Sequence, residues 1–557
     1  MEGRGLVDEV AVDDPRDRVA PETRSDLEGD VLDRRPLRDG EFRPVGKRHY
    51  DFAHIGGSRT NGIILSNTGP RKLFFAATLP VNVSLDRPLG VRHVVAVALG
   101  LPLGAGVFAL PHGVENLGGP ATPVAYVVGT LAVCSVAVAY AVYLSSPLAE
   151  CDGLVYAAVS RTWGSRRLGF LAAWPAVGAY VAVLAALVAA LGRSLAGVVP
   201  LSPTVSTFVV LAVLVAIHAL GPDVAGRAQL YVVGPLVALL VVMALAALLA
   251  VAPDNFSPLF PTPTLREQPL AALGAATAAT LFGFVGFDAG AAVSTVTRDP
   301  RRTVPRALLL AVVLAGAVAV AAAFVTLGVI PWPRLVFAAA PFADAAASGL
   351  GVETTLLLGP GMLLATLGAA LATVWLPTRA IRGFAEVIPG ADRDTRPGLP
   401  DPALALTGLL AGAVVALDAV GQALYLSLAG IFVGYGTVAA SVAVLPVLRP
   451  TLYRRCRLRL PAPALATVAL VGVATAAVVL WQVFALDPAT SLGFTRWDPA
   501  LAVVDEAVLV RDPLSTVLPA LLLWELVGVA VLAVAADYRA DRGVERPPLS
   551  AAYEGRE

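Results

Sequence analysis

Twelve apolar blocks, most of them about twenty residues or longer, constrain this chain more than any other feature. They lie at 92–115, 121–144, 168–191, 204–220, 228–252, 269–297, 305–330, 353–378, 402–418, 422–446, 462–485 and 514–536. At 1.5 Å per residue, about twenty helical residues cross a hydrocarbon layer of about 30 Å. Only 15% of the chain is charged, against about 25% in soluble domains. A soluble core cannot absorb twelve such blocks. The expectation is an all-α polytopic membrane protein with twelve transmembrane helices.

Loop charge orients the spans. Placing the N-terminus inside puts 17 arginines in the inner loops (145–167, 221–227, 298–306, 379–400, 447–461) and 5 in the outer ones. The positive-inside rule then predicts cytoplasmic N- and C-termini in the cell membrane. Residues 1–50 hold 13 acidic and 10 basic residues with little apolar periodicity, which predicts a disordered cytoplasmic tail over 1–85. A ten-helix core is expected over 86–450, two additional helices over 451–540, and a short cytoplasmic tail over 541–557. Three scattered cysteines, Cys134, Cys151 and Cys456, show no metal or disulfide spacing.

Two spans carry residues that break helices. Span one contains Gly100, Pro102, Gly104 and Gly106, and span six contains Gly283, Gly286 and Gly290 around Asp288. Both are expected to be broken helices. They stand five spans apart, an odd offset, so the second copy enters from the opposite side. That relation predicts a 5+5 inverted repeat followed by two extra helices. Broken backbone is tolerated at membrane depth only inside protein or around a cavity. Amides near Ala105 and Gly106 would face an anion, and glycine at 104 and 106 would let it approach the main chain. Carbonyls near Leu101, Phe282 and Val285 would accept from an ammonium group. Donors beside acceptors match an α-amino acid.

The motif "GLPLGAGVFALP" (100–111) resembles the first-helix signature of the amino acid–polyamine–organocation (APC) permeases. "LFGFVGFDAGAAVSTVTRDPRRTVPRA" (281–307) is similar to their sixth helix and following loop, and "LSSPLAECDGLVYAAVSRTWG" (144–164) to the end of their second. The resemblance covers about 86–450. It implies alternating access, with Gly104, Ala105 and Gly106 binding substrate carboxylate and Leu101, Phe282 and Val285 around the amine. Phe282 would be an aromatic gate. Pro102 and Leu103 depart from the family pattern, Asp288 replaces a glutamate, and Asp299 replaces an asparagine.

Asp288 is read as a gating or coupling group facing the cavity, because an intramembrane carboxylate is costly unless paired or wetted. Alternatively it clamps the broken helix. Arg298, Arg301, Arg302 and Arg306 suit topology and anionic lipid, with an ion pair to Glu150 or Asp152 as a candidate inner gate. Span eight offers Thr366, Thr373 and Thr378 without the adjacent pair expected of a sodium-coupled relative, which disfavours sodium coupling. Span five lacks the lysine that replaces sodium in some proton-coupled relatives, which leaves proton coupling and exchange as alternatives. No nucleotide-binding loop, nucleophile–base pair or metal cluster stands out. The expected function is secondary transport of a neutral or apolar amino acid or related amine, with protons as a candidate partner, no cofactor, no metal and no nucleic acid. The rivals are a carrier for another organic cation or ion, and a sensor that binds without transporting.

Overall fold

A computed structural model describes residues 87–108, 117–335, 338, 340–388, 401–485, 513–542 and 548–550. The expected tail over 1–85, the outer part of span one (109–115) and most of 541–557 lie outside them. Among the described residues the secondary structure is helical, apart from one isolated bridge between Leu89 and Thr297.

Helices α1 (Val91–Phe108), α2 (Thr122–Leu144), α3 (Leu154–Trp163), α4 (Arg166–Ala196), α5 (Pro203–Ala219) and α6 (Pro222–Leu248) form the first part. The sixth apolar block holds α7 (Pro269–Thr280) and the short α8 (Ala289–Ala292). Beyond it come α9 (Pro300–Val329), α10 (Pro341–Leu350), α11 (Thr354–Gly383), α12 (Pro402–Ala416), α13 (Val420–Leu448), α14 (Ala462–Ala485) and α15 (Pro513–Arg542). Nine helical segments among the described residues are long and apolar enough to cross a membrane. The three remaining apolar blocks hold shorter helices, α1, α5 and α12.

Local chemistry sets the boundaries. Ser165, Ser202 and Asp401 cap α4, α5 and α12 by accepting from Leu168, Val205 and Ala403 N–H, with proline at the first helical position of α5 and α12. Such caps satisfy amides that the helix itself leaves unpaired. The central core gathers α1, the interrupted sixth block, α2, α4, α9, α11 and α13 around one apolar cluster.

The expected break in span one is corrected: α1 is helical without interruption from Val91 through Phe108. Proline fixes φ near a helical value, so Pro102 costs one hydrogen bond to the carbonyl four residues back without forcing the chain open. Gly100 and Gly104 have another use. A Cβ at Gly100 would lie 2.7 Å from the Ala372 Cβ and the Gly368 carbonyl, and one at Gly104 would lie 2.8 Å from the Ala365 carbonyl and the Ala369 Cβ. The two glycines, four residues apart, form a stripe on which α11 packs backbone to backbone.

Span twelve is fastened to α4 by a reciprocal contact. Trp174 and Trp524 stack with centroids 4.8 Å apart, and each indole N–H donates to the other tryptophan's carbonyl, at 2.8 and 3.2 Å. Gly178 lies under Trp524 and Gly528 under Trp174. The sequence Trp-X-X-X-Gly occurs on both helices.

Candidate functional site

The sixth block breaks where its glycines predict. After α7 the chain makes a 3-10 turn over Leu281–Phe284, extends at Val285 (φ −55°, ψ 134°) and turns through Gly286 at φ +90°. Only glycine takes that φ without cost. Its bare Cα also admits the Leu101 side chain, whose Cβ and Cγ would stand 2.6 and 2.8 Å from an added Cβ. The break therefore leans on the middle of α1. The Gly286 N–H, released from the helix ladder, donates to the Tyr435 hydroxyl at 3.2 Å.

Two residues beyond, Asp288 is 7% exposed and accepts from the hydroxyls of Tyr180 (2.6 Å) and Tyr435 (2.8 Å). Both donate to the same carboxylate oxygen, which keeps the charge in hydrogen-bonded surroundings. Tyr140 stands beside them, its ring edge-on to Phe287 and Tyr435 at 5.6 and 5.9 Å. Phe282 meets Phe432 edge to face at 6.2 Å. The carboxylate thus belongs to a cage of three tyrosines from α2, α4 and α13. Sequence reading found Asp288 and missed the cage. Its legible signal was a set of tyrosines inside apolar blocks, since a buried hydroxyl wants a partner.

The structure brings Leu101, Phe282, Val285 and Asp288 together around the break. Gly104 points instead to α11. Ala105 and Gly106 lie on the same continuous helix, so the amides expected to meet a carboxylate are not released by a break before Phe108. A neutral cross-link stands nearby: Gln229 of α6, fully buried, donates its amide to the carbonyls of Ala96 (3.2 Å) and Gly368 (3.0 Å).

Beyond Asp288, toward the arginine-rich end, a cavity of about 50 Å³ is lined by Tyr140, Tyr180, Asp288, Ala291, Leu376 and Arg379, among others. Charged groups close its far end. Arg379 pairs with Asp152 at 3.2 Å, Thr295 donates to Asp152 at 2.9 Å, and Arg379 also donates to Thr295 at 3.2 Å. The guanidinium lies over the Trp375 ring, 5.3 Å from its centroid. Asp152 therefore meets Arg379, and Glu150 pairs with Arg87 at 3.7 Å; of the four expected partners, Arg298, Arg301, Arg302 and Arg306, the first two bond to the carbonyls of Arg87 and Arg455. A second knot joins Glu386 to Arg161, Arg166 and the Tyr156 hydroxyl. Burial, and secondly the Glu386 carboxylate, push the Tyr156 phenol well above its ordinary value, so it remains a donor.

Residues 89–504 match the amino acid permease family. The chain belongs to that family. Among curated proteins, this permease is 24% identical over 449 residues to a methylthioribose transporter of Bacillus subtilis (strain 168), covering 74% of this chain and 91% of that protein. It is also 24% identical to two branched-chain amino acid permeases called BcaP. The one from Bacillus subtilis aligns over 45% of this chain and 57% of its own length, and the one from Lactococcus lactis subsp. cremoris (strain MG1363) over 54% and 70%. The permease is accordingly a membrane transporter of amino acids or related substrates, and not an enzyme.

Proposed function

We propose that this permease is a secondary carrier that moves a neutral or apolar amino acid, or a related amine, across the cell membrane by alternating access. The observation that carries the reading is the interruption at 281–288. It sets a released amide at Gly286 and a carboxylate at Asp288 beside the apolar Leu101, Phe282 and Val285. Those walls suit a small apolar side chain better than a second charge. Gly104, Ala105 and Gly106 complete the site by offering amides to the substrate carboxylate when α1 loosens at Pro102, where the ladder already lacks one donor. Twelve spans in a 5+5 inverted repeat plus two would frame the site, with both termini in the cytoplasm as the arginine distribution directs. Asp288 gates the site and carries the coupling proton, and Phe282 covers the substrate.

The methylthioribose relative supports a second reading, a small polar solute without an amine, because its alignment spans most of both chains. Uptake into proteoliposomes decides between them. The reconstituted permease is given a labelled amino acid pool or methylthioribose, with and without imposed proton and sodium gradients. The expected result is proton-driven uptake of neutral amino acids, with competition by leucine, isoleucine and valine. Uptake of methylthioribose alone would replace the amino acid reading. Binding of amino acids with no flux under any gradient would make the protein a sensor.

A further inference from the structure

None of the residues predicted to hold substrate lines the cavity between Asp288 and Arg379, which includes only the predicted gating residue Asp288. It is therefore distinct from the contact of Leu101 with the break. Tyr140 lines it, is 1% exposed and has a hydroxyl without a hydrogen-bond partner among the described residues. A buried hydroxyl left unpaired is costly, and here it lies in the same cavity as a buried carboxylate. Both tyrosine bonds to Asp288 fall on Oδ1, and no described side chain bonds the second oxygen. An anionic oxygen beside hydroxyl lone pairs matches an ammonium group, which has donors and no acceptor. The remaining walls include Ala173, Ala176, Ala291 and Leu376, small and apolar. At about 10–15 Å³ per water, the cavity of about 50 Å³ admits a few waters or an amino acid head group.

We propose that this cavity is a second ligand subsite, one step from the break toward the arginine-rich end, that takes the ammonium group of the passing amino acid. The Asp152–Arg379–Thr295 cluster is its lid: three groups from the 145–153 loop, α11 and the segment after α8 must separate before the ligand leaves. The proposal rests on the amino acid reading above. It adds a place where substrate pauses after leaving Leu101 and Phe282.

The test uses the full chain in proteoliposomes with Ala176→Cys, a change on the cavity wall. Its modification by a small cationic thiol reagent is followed at that residue by peptide mass spectrometry, so the native cysteines do not interfere. The probe is a pool of glycine, alanine, valine, leucine and isoleucine. The pool is expected to slow modification about tenfold, the effect of one charge-assisted hydrogen bond. Adding Tyr140→Phe, which removes only the unpartnered hydroxyl, is expected to abolish most of that protection. Should cysteine at 176 prevent folding, Ala380→Cys on another wall gives the same readout. Uptake of the pool without protection, or protection that survives Tyr140→Phe, overturns the subsite and leaves the transport reading intact. Neither uptake nor protection overturns both.

Discussion

Gly286 offers the sharpest test of how α1 and the interrupted helix depend on each other. Replacing it with alanine imposes two separate costs. Holding an L-residue in a left-handed conformation costs about 1–2 kcal/mol, and at φ +90° no relaxation within the turn avoids it. The new methyl group also enters the space of Leu101, which is 3% exposed and closely packed; overpacking of this kind costs about 1–3 kcal/mol. The sum is roughly 2–5 kcal/mol. The two parts separate in a double-mutant cycle with Leu101→Ala. That change alone costs about 2–5 kcal/mol through the void it leaves, but it also removes the Leu101 Cγ and Cδ atoms that the methyl group of alanine at 286 would meet, so that only the Cβ contact is left. The pair should therefore be non-additive by about 1–3 kcal/mol. Thermal inactivation of the detergent-solubilised permease, followed by size-exclusion chromatography, supplies the apparent stabilities, and proteoliposome uptake supplies function. Additive costs would refute the contact between the turn and α1. A Gly286→Ala protein as stable as wild type would refute the turn itself.

Other outcomes follow from the same geometry. Gly104→Ala places a methyl group 2.8 Å from the Ala365 carbonyl and the Ala369 Cβ; it should destabilise by about 1–3 kcal/mol in the same thermal assay, with lost stability preceding any change in KM. Glu386→Gln weakens the pairing of Arg161 and Arg166 and should cost about 1–3 kcal/mol, measured as earlier inactivation that Glu386→Asp partly restores. Trp174→Phe with Trp524→Phe removes two indole donors worth about 0.5–1.5 kcal/mol each, and proteolysis should then cut more readily between α14 and α15. Asp288→Asn keeps a group that Tyr180 and Tyr435 can still donate to but removes the charge. It should abolish accumulation driven by a proton gradient while leaving counterflow exchange measurable.

Much of the fold was legible because apolar length is a local property. The block 121–144 became Thr122–Leu144, and 402–418 became Pro402–Ala416. The block 305–330 began early, at Pro300, because Asp299 turns the chain at φ 41° and proline then starts the helix inside the arginine run. Glycine patterns were legible only by half. In the sixth block they mark a true break, confirmed by the positive φ of Gly286. In the first they mark packing, and the distinguishing information lies some 265 residues away in Ala365, Gly368, Ala369 and Ala372. A glycine's use depends on what stands opposite it, which no local window contains. The tyrosine cage was hidden for a similar reason: Tyr140, Tyr180 and Tyr435 come from three helices and share no motif.

The exchange between Trp174 and Trp524 has one more consequence. Because the same five-residue pattern faces itself across the contact, the surface of α4 is complementary to its own motif and needs α15 to occupy it. A chain shortened before residue 513 would bare Trp174 and Gly178 to the lipid.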